Sequence, residues 1–315
     1  MLAIDHLAVS RDLAELRRLA AAKVEQDRLP TGMAAALQVR EDLRQYGLEG
    51  HAADLETRGY TVMSPDVAGS AGLWPRVRDA ILAINDENNQ APDGMERSRG
   101  RNLWHLLPQD RIFEQALMAP PQLALIAYLM GYRAKLSQFR GIVKDNSSVE
   151  PMEIHADHSR KVPAPWPSDA QYCTVTWVLS DYNRENGAVC VVPGSHKLGM
   201  DVPPEFVMAH DHPDLEVVEA PAGSVIVWHG GLWHGAVPRT APGRRVTLVM
   251  PMVRFHLLPQ ELFWASTTPE MLERNSSRFA ALVGLLGSWP WGPEGPDTAY
   301  KRPSWLSTWQ ENRFA

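Results

Sequence analysis

The chain has 315 residues, of which 44% are hydrophobic and 22% charged, values typical of a globular protein. The formal net charge of -6 gives no electrostatic support for binding nucleic acid. No apolar run approaches the ~20 residues of a membrane span, and the N-terminal residues lack the pattern of a signal peptide. Cys173 and Cys190 lie in apolar runs, which favours reduced core thiols in a cytoplasmic protein.

Residues 1–133 are predicted to be mostly helical. Residues 12–19, 50–55 and 73–84 place apolar side chains at helical spacing, whereas residues 59–63 between them fit a short strand. No repeat or interdomain linker interrupts this zone. It is expected to pack onto whatever follows it as part of one domain.

Residues 134–256 have a different pattern. Short β-rich runs are separated by loops rich in Gly, Pro, Asn and Asp, and this pattern predicts a jelly roll of the double-stranded β-helix type. The predicted strands cover residues 135–144, 152–155, 172–179, 188–192, 215–220, 224–228 and 245–253. The fold prediction is therefore a mainly β core with flanking helices.

The last zone, residues 257–315, contains one helix-like run at residues 269–286. An irregular tail follows, and its tryptophans are Trp289, Trp291, Trp305 and Trp309.

A candidate metal site lies in the β-rich zone. His155 and Asp157 are two residues apart, so an extended segment projects both side chains to one face. A second histidine from a distant strand would complete two imidazoles and one carboxylate. This set occupies one face of an octahedral metal and is used by non-heme Fe(II) oxygenases.

Several motifs together resemble the phytanoyl-CoA dioxygenase family. They are the His155-Ala156-Asp157 triplet, the string from Asn186 through Pro193-Gly194-Ser195-His196, the pair His234-Gly235, and Arg245. The resemblance extends over roughly residues 45–290. It implies an Fe(II)- and 2-oxoglutarate-dependent oxygenase that consumes O2, with a small molecule as its substrate.

The resemblance also selects among competing histidines. It places the second histidine ligand before a glycine and eleven residues before an arginine, which is His234 rather than His229. His229 is expected to end the preceding strand. His158 falls on the strand face opposite Asp157, and His196 is expected to serve a structural turn. The His210-Asp211-His212 segment is interpreted as a solvated loop.

The resemblance implies the co-substrate residues as well. Arg245 would pair with the distal carboxylate of 2-oxoglutarate, while the adjacent Arg244 would point to the other face. Gln138 would assist. Trp177 would lie beside the co-substrate, although plain core packing explains it equally well, and Thr174 has the opposite strand parity. Ala236 stands where a subset of the family has a serine, whose hydroxyl Thr174 could replace.

The sequence predicts the reaction and the substrate in less detail than the metal site. Asp157 occupies the metal position that halogenating variants of the fold leave open, which favours hydroxylation or a related oxidation. Candidate substrate contacts are Asn102, Trp104, His105 and Trp166. Residues 160–166 and the tryptophan-rich tail are expected to close over an uncharged or weakly charged small molecule.

Two other interpretations fit the same ligands. One is a zinc-dependent hydrolase or isomerase on a cupin-like barrel, and the other is a non-catalytic ligand-binding module. The zinc interpretation leaves Arg245 and Gln138 without a role. The non-catalytic interpretation would be favoured by loss of a ligand, but all three are present. A monomer or homodimer without nucleic-acid or membrane partners is expected.

Overall fold

A computed structural model describes residues 6–87, 100–159 and 161–286. The helices within these residues lie before and after the strands of the core. They are α1 (His6–Gln26), α2 (Gly32–Gln45), α3 (Glu49–Thr57), α4 (Pro65–Ala68), α5 (Trp74–Glu87), α6 (Arg111–Leu117), α7 (Pro120–Met130), α8 (Pro269–Arg274) and α9 (Ser277–Leu282).

The strands concentrate in the middle of the chain. They are β1 (Tyr60–Met63), β2 (Arg101–Leu103), β3 (Lys135–Leu136), β4 (Arg140–Lys144), β5 (Met152–His155), β6 (Tyr172–Val178), β7 (Val189–Val192), β8 (Glu216–Val217), β9 (Val225–His229), β10 (Trp233–Ala236) and β11 (Arg245–Val253).

These strands form two antiparallel sheets that pack face to face. The larger sheet has the order β1-β9-β6-β11-β4-β2, with β3 also paired to β11, and the smaller has the order β5-β10-β7-β8. Side chains of both sheets meet in a shared cluster that includes Val178, Ile226 and Trp228 from the larger sheet and Val189 and Val191 from the smaller. This arrangement confirms the predicted jelly roll.

The helices cover the outer face of the larger sheet. Alternate residues of β6 and β11 enter the main apolar core, including Val175 and Trp177 on β6 and Leu248 and Met250 on β11. The intervening residues of both strands face the smaller sheet, because strand side chains alternate. We call these two sides of the larger sheet the helix face and the inner face.

One predicted strand is divided in two. Residues 135–144 form β3 and β4, and residues 137–139 leave the ladder between them. The cause lies on the neighbouring strand, where Pro251 has no N–H to donate. Its carbonyl accepts from the N–H groups of both Ser137 (2.7 Å) and Gln138 (3.3 Å). The chain therefore bends here and sets Gln138 apart from the regular strand.

The predicted helix at residues 269–286 is also divided. Asn275 has an extended conformation (ψ 164°) between α8 and α9, and its Nδ2 donates to the Met271 carbonyl. The side chain thereby satisfies a carbonyl at the end of α8, and Ser276 begins the next helix. The predicted strand at residues 215–220 is shorter than expected, since only Glu216–Val217 pair as β8.

Within the described ranges, no helix combines the length and apolar character needed to cross a membrane.

Candidate metal centre

The three predicted ligands converge in the space between the sheets. His155 is the last residue of β5, Asp157 follows it in a turn, and His234 lies on β10 directly opposite His155. Their ligand atoms all lie within 4.8 Å of one another. The two imidazole centroids are 4.4 Å apart. Two distant parts of the sequence therefore present two nitrogens and a carboxylate oxygen to one point.

Both imidazoles are held by their own backbone. The Nδ1 atom of His155 lies 2.9 Å from the Glu153 carbonyl, and that of His234 lies 2.9 Å from the Leu232 carbonyl. Since a carbonyl can only accept, each Nδ1 carries the proton and each Nε2 presents a lone pair. This is the tautomer that binds a metal through Nε2.

Asp157 is fixed by three neighbouring side chains. Its Oδ2 accepts hydrogen bonds from the Thr174 hydroxyl (2.8 Å) and the Trp228 indole N–H (3.1 Å). The Lys161 ammonium donates to the Asp157 backbone carbonyl (2.8 Å). Trp228 also packs against His234, with ring centroids 5.1 Å apart.

The protonation states suit a metal cation. Burial alone would raise the pKa of Asp157, but the neighbouring His234, Lys161 and His155 and the Thr174 hydrogen bond lower it to about 2. Burial lowers the pKa of His234 to about 4. At neutral pH the carboxylate is therefore ionised and His234 is neutral, as metal ligation requires.

Gly235 has a steric role beside His234. A Cβ at this position would lie 2.6 Å from the Met152 carbonyl of β5, too close for any other residue. The β5–β10 register shifts between His234 and Ala236 at the same place. The glycine after the ligand histidine thus lets β5 approach closely enough for His155 to meet His234.

The structure places Arg245 on the inner face and Arg244 outside. Arg245 is buried; its Nη1 donates to the Gly187 carbonyl (2.7 Å), and its guanidinium lies 5.1 Å from the centre of the Tyr182 ring. Its Nε is buried with no partner among the described residues. Arg244 is exposed and forms an ion pair with Asp86 (2.9 Å).

Gln138 lies at the wall of an open cleft of about 590 Å³. Its side-chain Oε1 is buried and has no hydrogen-bond partner within the described part of the chain. The cleft is lined by Trp104, His105, Gln138, Gln260, Glu261, Leu262, Ala265 and Ser266. An unpartnered buried acceptor at such a wall is suited to a ligand that donates a hydrogen bond.

Of the two interpretations left open for Trp177, its surroundings match core packing. Its ring is fully buried on the helix face, and its indole N–H donates to Gln122 on α7 (2.6 Å). Thr174, of opposite parity, faces the metal centre and gives its hydroxyl to Asp157. Because strand side chains alternate, only one of Thr174 and Trp177 can lie on the inner face. Packing of the Trp177 ring against α7 leaves that place to Thr174.

Two of the predicted substrate contacts lie at the cleft. Trp104 is 42% exposed, and His105 takes a left-handed backbone conformation with φ 56° and has its Nδ1 3.4 Å from the Glu261 carboxylate. Asn102 lies nearby on β2, where its Oδ1 accepts from Arg140 (3.3 Å).

Trp166, the fourth predicted substrate contact, does not line this cleft. Its ring packs with Ile154 and Ala156, which have the opposite parity to His155, and its N–H donates to the Val162 carbonyl (3.0 Å). It therefore supports β5 from the side away from the metal ligands. Arg160 and the tail tryptophans, from the predicted lid, lie outside the described residues.

The competing histidines named in the sequence analysis do not join the triad. His229 ends β9 as expected, and its ring packs against His158 and His196 at centroid distances of 5.3 and 5.1 Å. His158 is fully buried and accepts from the Gln171 N–H (3.3 Å). His210 is bonded to the Met152 carbonyl (3.0 Å).

Sequence reasoning missed Trp228 and Lys161 as supports of Asp157. Trp228 could have been found from parity, because it lies directly across from Thr174 in the β6–β9 pair. Lys161 lies four residues after Asp157 in a turn, a position that carries no distinctive sequence signal.

Comparison with known proteins gives one family. The family described as phytanoyl-CoA dioxygenase (PhyH) matches residues 61–247, which include all three ligands and Arg245. Dioxygenase af480 of Aspergillus fumigatus is 31% identical over 187 residues, 58% of this chain and 58% of that protein. Dioxygenase FrzG of a Cladobotryum species is 28% identical over 124 residues, 38% of this chain and 40% of that protein. The chain thus aligns with less than two thirds of either relative.

Solved structures share the fold. HygX from Streptomyces hygroscopicus, crystallised with nickel and 2-oxoglutarate, has a TM-score of 0.53 and 16% identity, over 65% of this chain and 87% of HygX. The non-heme α-ketoglutarate-dependent epimerase SnoN has a TM-score of 0.54 and 18% identity, over 71% of this chain and 90% of SnoN. At these identities the likeness concerns the backbone architecture.

Proposed function

Since the chain belongs to the phytanoyl-CoA dioxygenase (PhyH) family, we propose that it is an Fe(II)- and 2-oxoglutarate-dependent dioxygenase. Its substrate is a small organic molecule, a secondary metabolite or catabolic intermediate, and its reaction is the hydroxylation of a C–H bond. The relatives named as dioxygenases support this class of reaction. Succinate and CO2 would be the co-products.

One observation carries the proposal: two imidazole nitrogens and one carboxylate oxygen meet at a point, where the pKa values of Asp157 and His234 keep the carboxylate ionised and the His234 ring neutral. His155, Asp157 and His234 would hold Fe(II). Nitrogen and carboxylate ligands on one face leave the opposite face for other molecules. When bound, iron with 2-oxoglutarate and O2 supplies the oxidising chemistry, which belongs to the cofactor.

The protein's own contribution is to orient and to shield. The backbone carbonyls of Glu153 and Leu232 fix the two imidazoles, and Thr174 fixes the carboxylate. Arg245 is buried on the inner face, and its Nε has no partner among the residues that the structure describes, so it can pair with the distal carboxylate of 2-oxoglutarate. Gln138 lies beyond Arg140 from Arg245, at the cleft wall, so its contact with 2-oxoglutarate stays a prediction from the family resemblance.

Asp157 bears on the type of reaction. A carboxylate ligand fills the position that a halide would need on the metal, and its Oδ2 is held by two hydrogen bonds. We therefore assign hydroxylation rather than halogenation.

The test is an anaerobic titration of the metal-free protein with Fe(II) and then 2-oxoglutarate. Chelation of the oxo acid to the metal gives a weak visible charge-transfer band, and we expect this band to saturate at one equivalent. Oxygenation of the complex should then release succinate. A hydrolase or isomerase using Zn2+ at the same ligands would show neither the band nor succinate.

Arg244→Ala is the control variant for this titration, because Arg244 pairs with Asp86 at the surface and should not contact 2-oxoglutarate. Its band should saturate as in the native protein. A protein that binds Fe(II) at these three ligands but never develops the band with 2-oxoglutarate would overturn the proposal.

A further inference from the structure

A second arginine, Arg140, faces the metal side of the larger sheet. On β4 the intervening residues turn to the helix face: Val143 enters the main core, and a Cβ on Gly141 would touch Ile81 and Leu106. Arg140 therefore projects from the inner face, as strand alternation requires. Gln138, two residues earlier, lines the open cleft.

The guanidinium of Arg140 has few partners for its five N–H donors. Its Nη1 donates to the Asn102 side-chain oxygen at 3.3 Å, and its Cζ lies 5.3 Å from the centre of the Trp104 ring. Its Nε is buried without a hydrogen-bond partner in the part of the chain that the structure describes. Among residues 6–87, 100–159 and 161–286, no carboxylate lies within 4.0 Å of it.

Charged groups of both the metal centre and the cleft act on Arg140. Burial lowers the pKa of its guanidinium, while the negative charges of Asp157 and Glu261 raise it. Asp157 is a metal ligand, and Glu261 lines the cleft. Glu261 already accepts from the N–H groups of Phe139 (2.8 Å) and His105 (3.3 Å). The charges of both carboxylates therefore act on the Arg140 guanidinium, although neither forms an ion pair with it.

An incompletely paired, half-buried guanidinium is costly unless an anion joins it. Its planar fork fits the two oxygens of a carboxylate or phosphate. Beside it, Trp104 offers an exposed aromatic face at the cleft. We propose that Arg140 binds an anionic group of the substrate, a carboxylate or a phosphate, while the apolar body of the substrate packs on Trp104. This inference rests on the proposed function, and it differs from the expectation of an uncharged or weakly charged substrate.

The co-substrate does not account for Arg140. Arg245 lies opposite Lys144 on β4, four residues further along the strand, which is a distance of about 13 Å. The distal carboxylate of 2-oxoglutarate is assigned to Arg245, and its other carboxylate goes to the metal. Arg140 is therefore left for a different anion, at the opposite end of the same sheet face.

The test compares three probes that share one aromatic body: 2-naphthylacetate, 2-naphthylacetamide and 2-naphthylmethyl phosphate. Their binding is measured by anaerobic calorimetry on the holoenzyme saturated with Fe(II) and 2-oxoglutarate, so that the metal positions are already taken. We expect an anionic probe to bind the native enzyme about tenfold more tightly than the amide. The more tightly bound anion identifies the group.

Variants test whether Arg140 causes the tighter binding of the anionic probes. In Arg140→Met the anion and amide should bind equally, and Arg140→Lys should keep part of the preference because it keeps the charge. Arg244→Met, which alters an exposed arginine, should retain it in full. Arg140→Gln repeats the test should the methionine variant fail to fold.

Three results would overturn the proposal. One is equal binding of all three probes to the native holoenzyme. Another is the absence of binding by either anion at millimolar concentration. The third is a loss of 2-oxoglutarate affinity in Arg140→Met without substrate, which would make Arg140 a co-substrate residue. The charge-transfer band of the native complex reports the proposed function separately, so failure of one inference is distinguishable from failure of the other.

Discussion

The two faces of the larger sheet differ in chemistry although they share every strand. On β6 the helix face carries Val175 and Trp177, whereas the inner face carries Thr174 and Thr176. On β11 the helix face is apolar, and the inner face begins with Arg245. One face is thus built for packing against helices, and the other presents hydroxyl and cationic groups toward the metal centre.

The difference shows how one strand serves stability and function independently. All seven residues of β6 are buried, so burial alone does not separate the two roles. Polarity does, because a buried hydroxyl or guanidinium requires a partner, and these partners are Asp157 for Thr174 and Gly187 for Arg245. Substitutions on the two faces should therefore have separable consequences.

The largest effect is expected for Asp157→Ala, which removes the metal ligand that Thr174 of the inner face contacts. Substrate oxidation and Fe(II)-dependent succinate formation should fall to background, because two histidines alone do not hold the metal in place. Thermal unfolding of the metal-free variant should show that the fold persists. Unchanged turnover in a folded Asp157→Ala protein would refute the ligand assignment.

Trp177→Ala tests the helix face. Removing this fully buried ring and the hydrogen bond to Gln122 should lower the free energy of unfolding by about 3–5 kcal/mol. Urea denaturation measures the loss. The folded fraction should bind 2-oxoglutarate with native affinity, because the ring faces away from the metal centre. Weakened co-substrate binding with little loss of stability would restore Trp177 to the inner site.

Arg245→Ala tests the inner face of β11. We expect 2-oxoglutarate to bind 10- to 100-fold more weakly, a change of about 1.4–3 kcal/mol, because a buried charge pair is lost. Arg244→Ala is the neighbouring control and should change little, since its partner Asp86 is at the surface. If the two variants behaved in reverse, the strand parity assigned to this end of β11 would be wrong by one residue.

Much of this organisation is readable in the sequence. Short β-rich runs with turn residues between them predicted the jelly roll, and His155 with Asp157 predicted a shared face. The choice of Arg245 over Arg244 needed the family resemblance, since alternation says only that the two point oppositely. The structure then placed Arg245 inside.

Other features depend on contacts between distant residues, which a single sequence does not contain. Alternation separated Thr174 from Trp177 but gave no sign of which one met the metal centre, because the answer depends on Gln122 of α7. The packing of Trp166 could not be predicted for a similar reason. Its position beside the ligand motif in the chain said nothing of the side of β5 against which its ring would pack.

The smallest effect is expected for Thr174→Val, which keeps the side-chain shape and removes the hydroxyl that donates to Asp157. The Trp228 indole N–H still holds the same carboxylate oxygen, so the ligand is loosened rather than released. We expect metal affinity to fall by about tenfold, or 1.4 kcal/mol, measured by anaerobic titration with Co(II). The free energy of unfolding should change by less than in Trp177→Ala, its neighbour on the other face. The double variant Thr174→Val with Trp228→Phe should lose more affinity than the sum of the single losses, because no donor to Oδ2 then remains among the residues that hold it here. Strict additivity would mean that the two hydrogen bonds act independently and that Asp157 is oriented chiefly by its backbone.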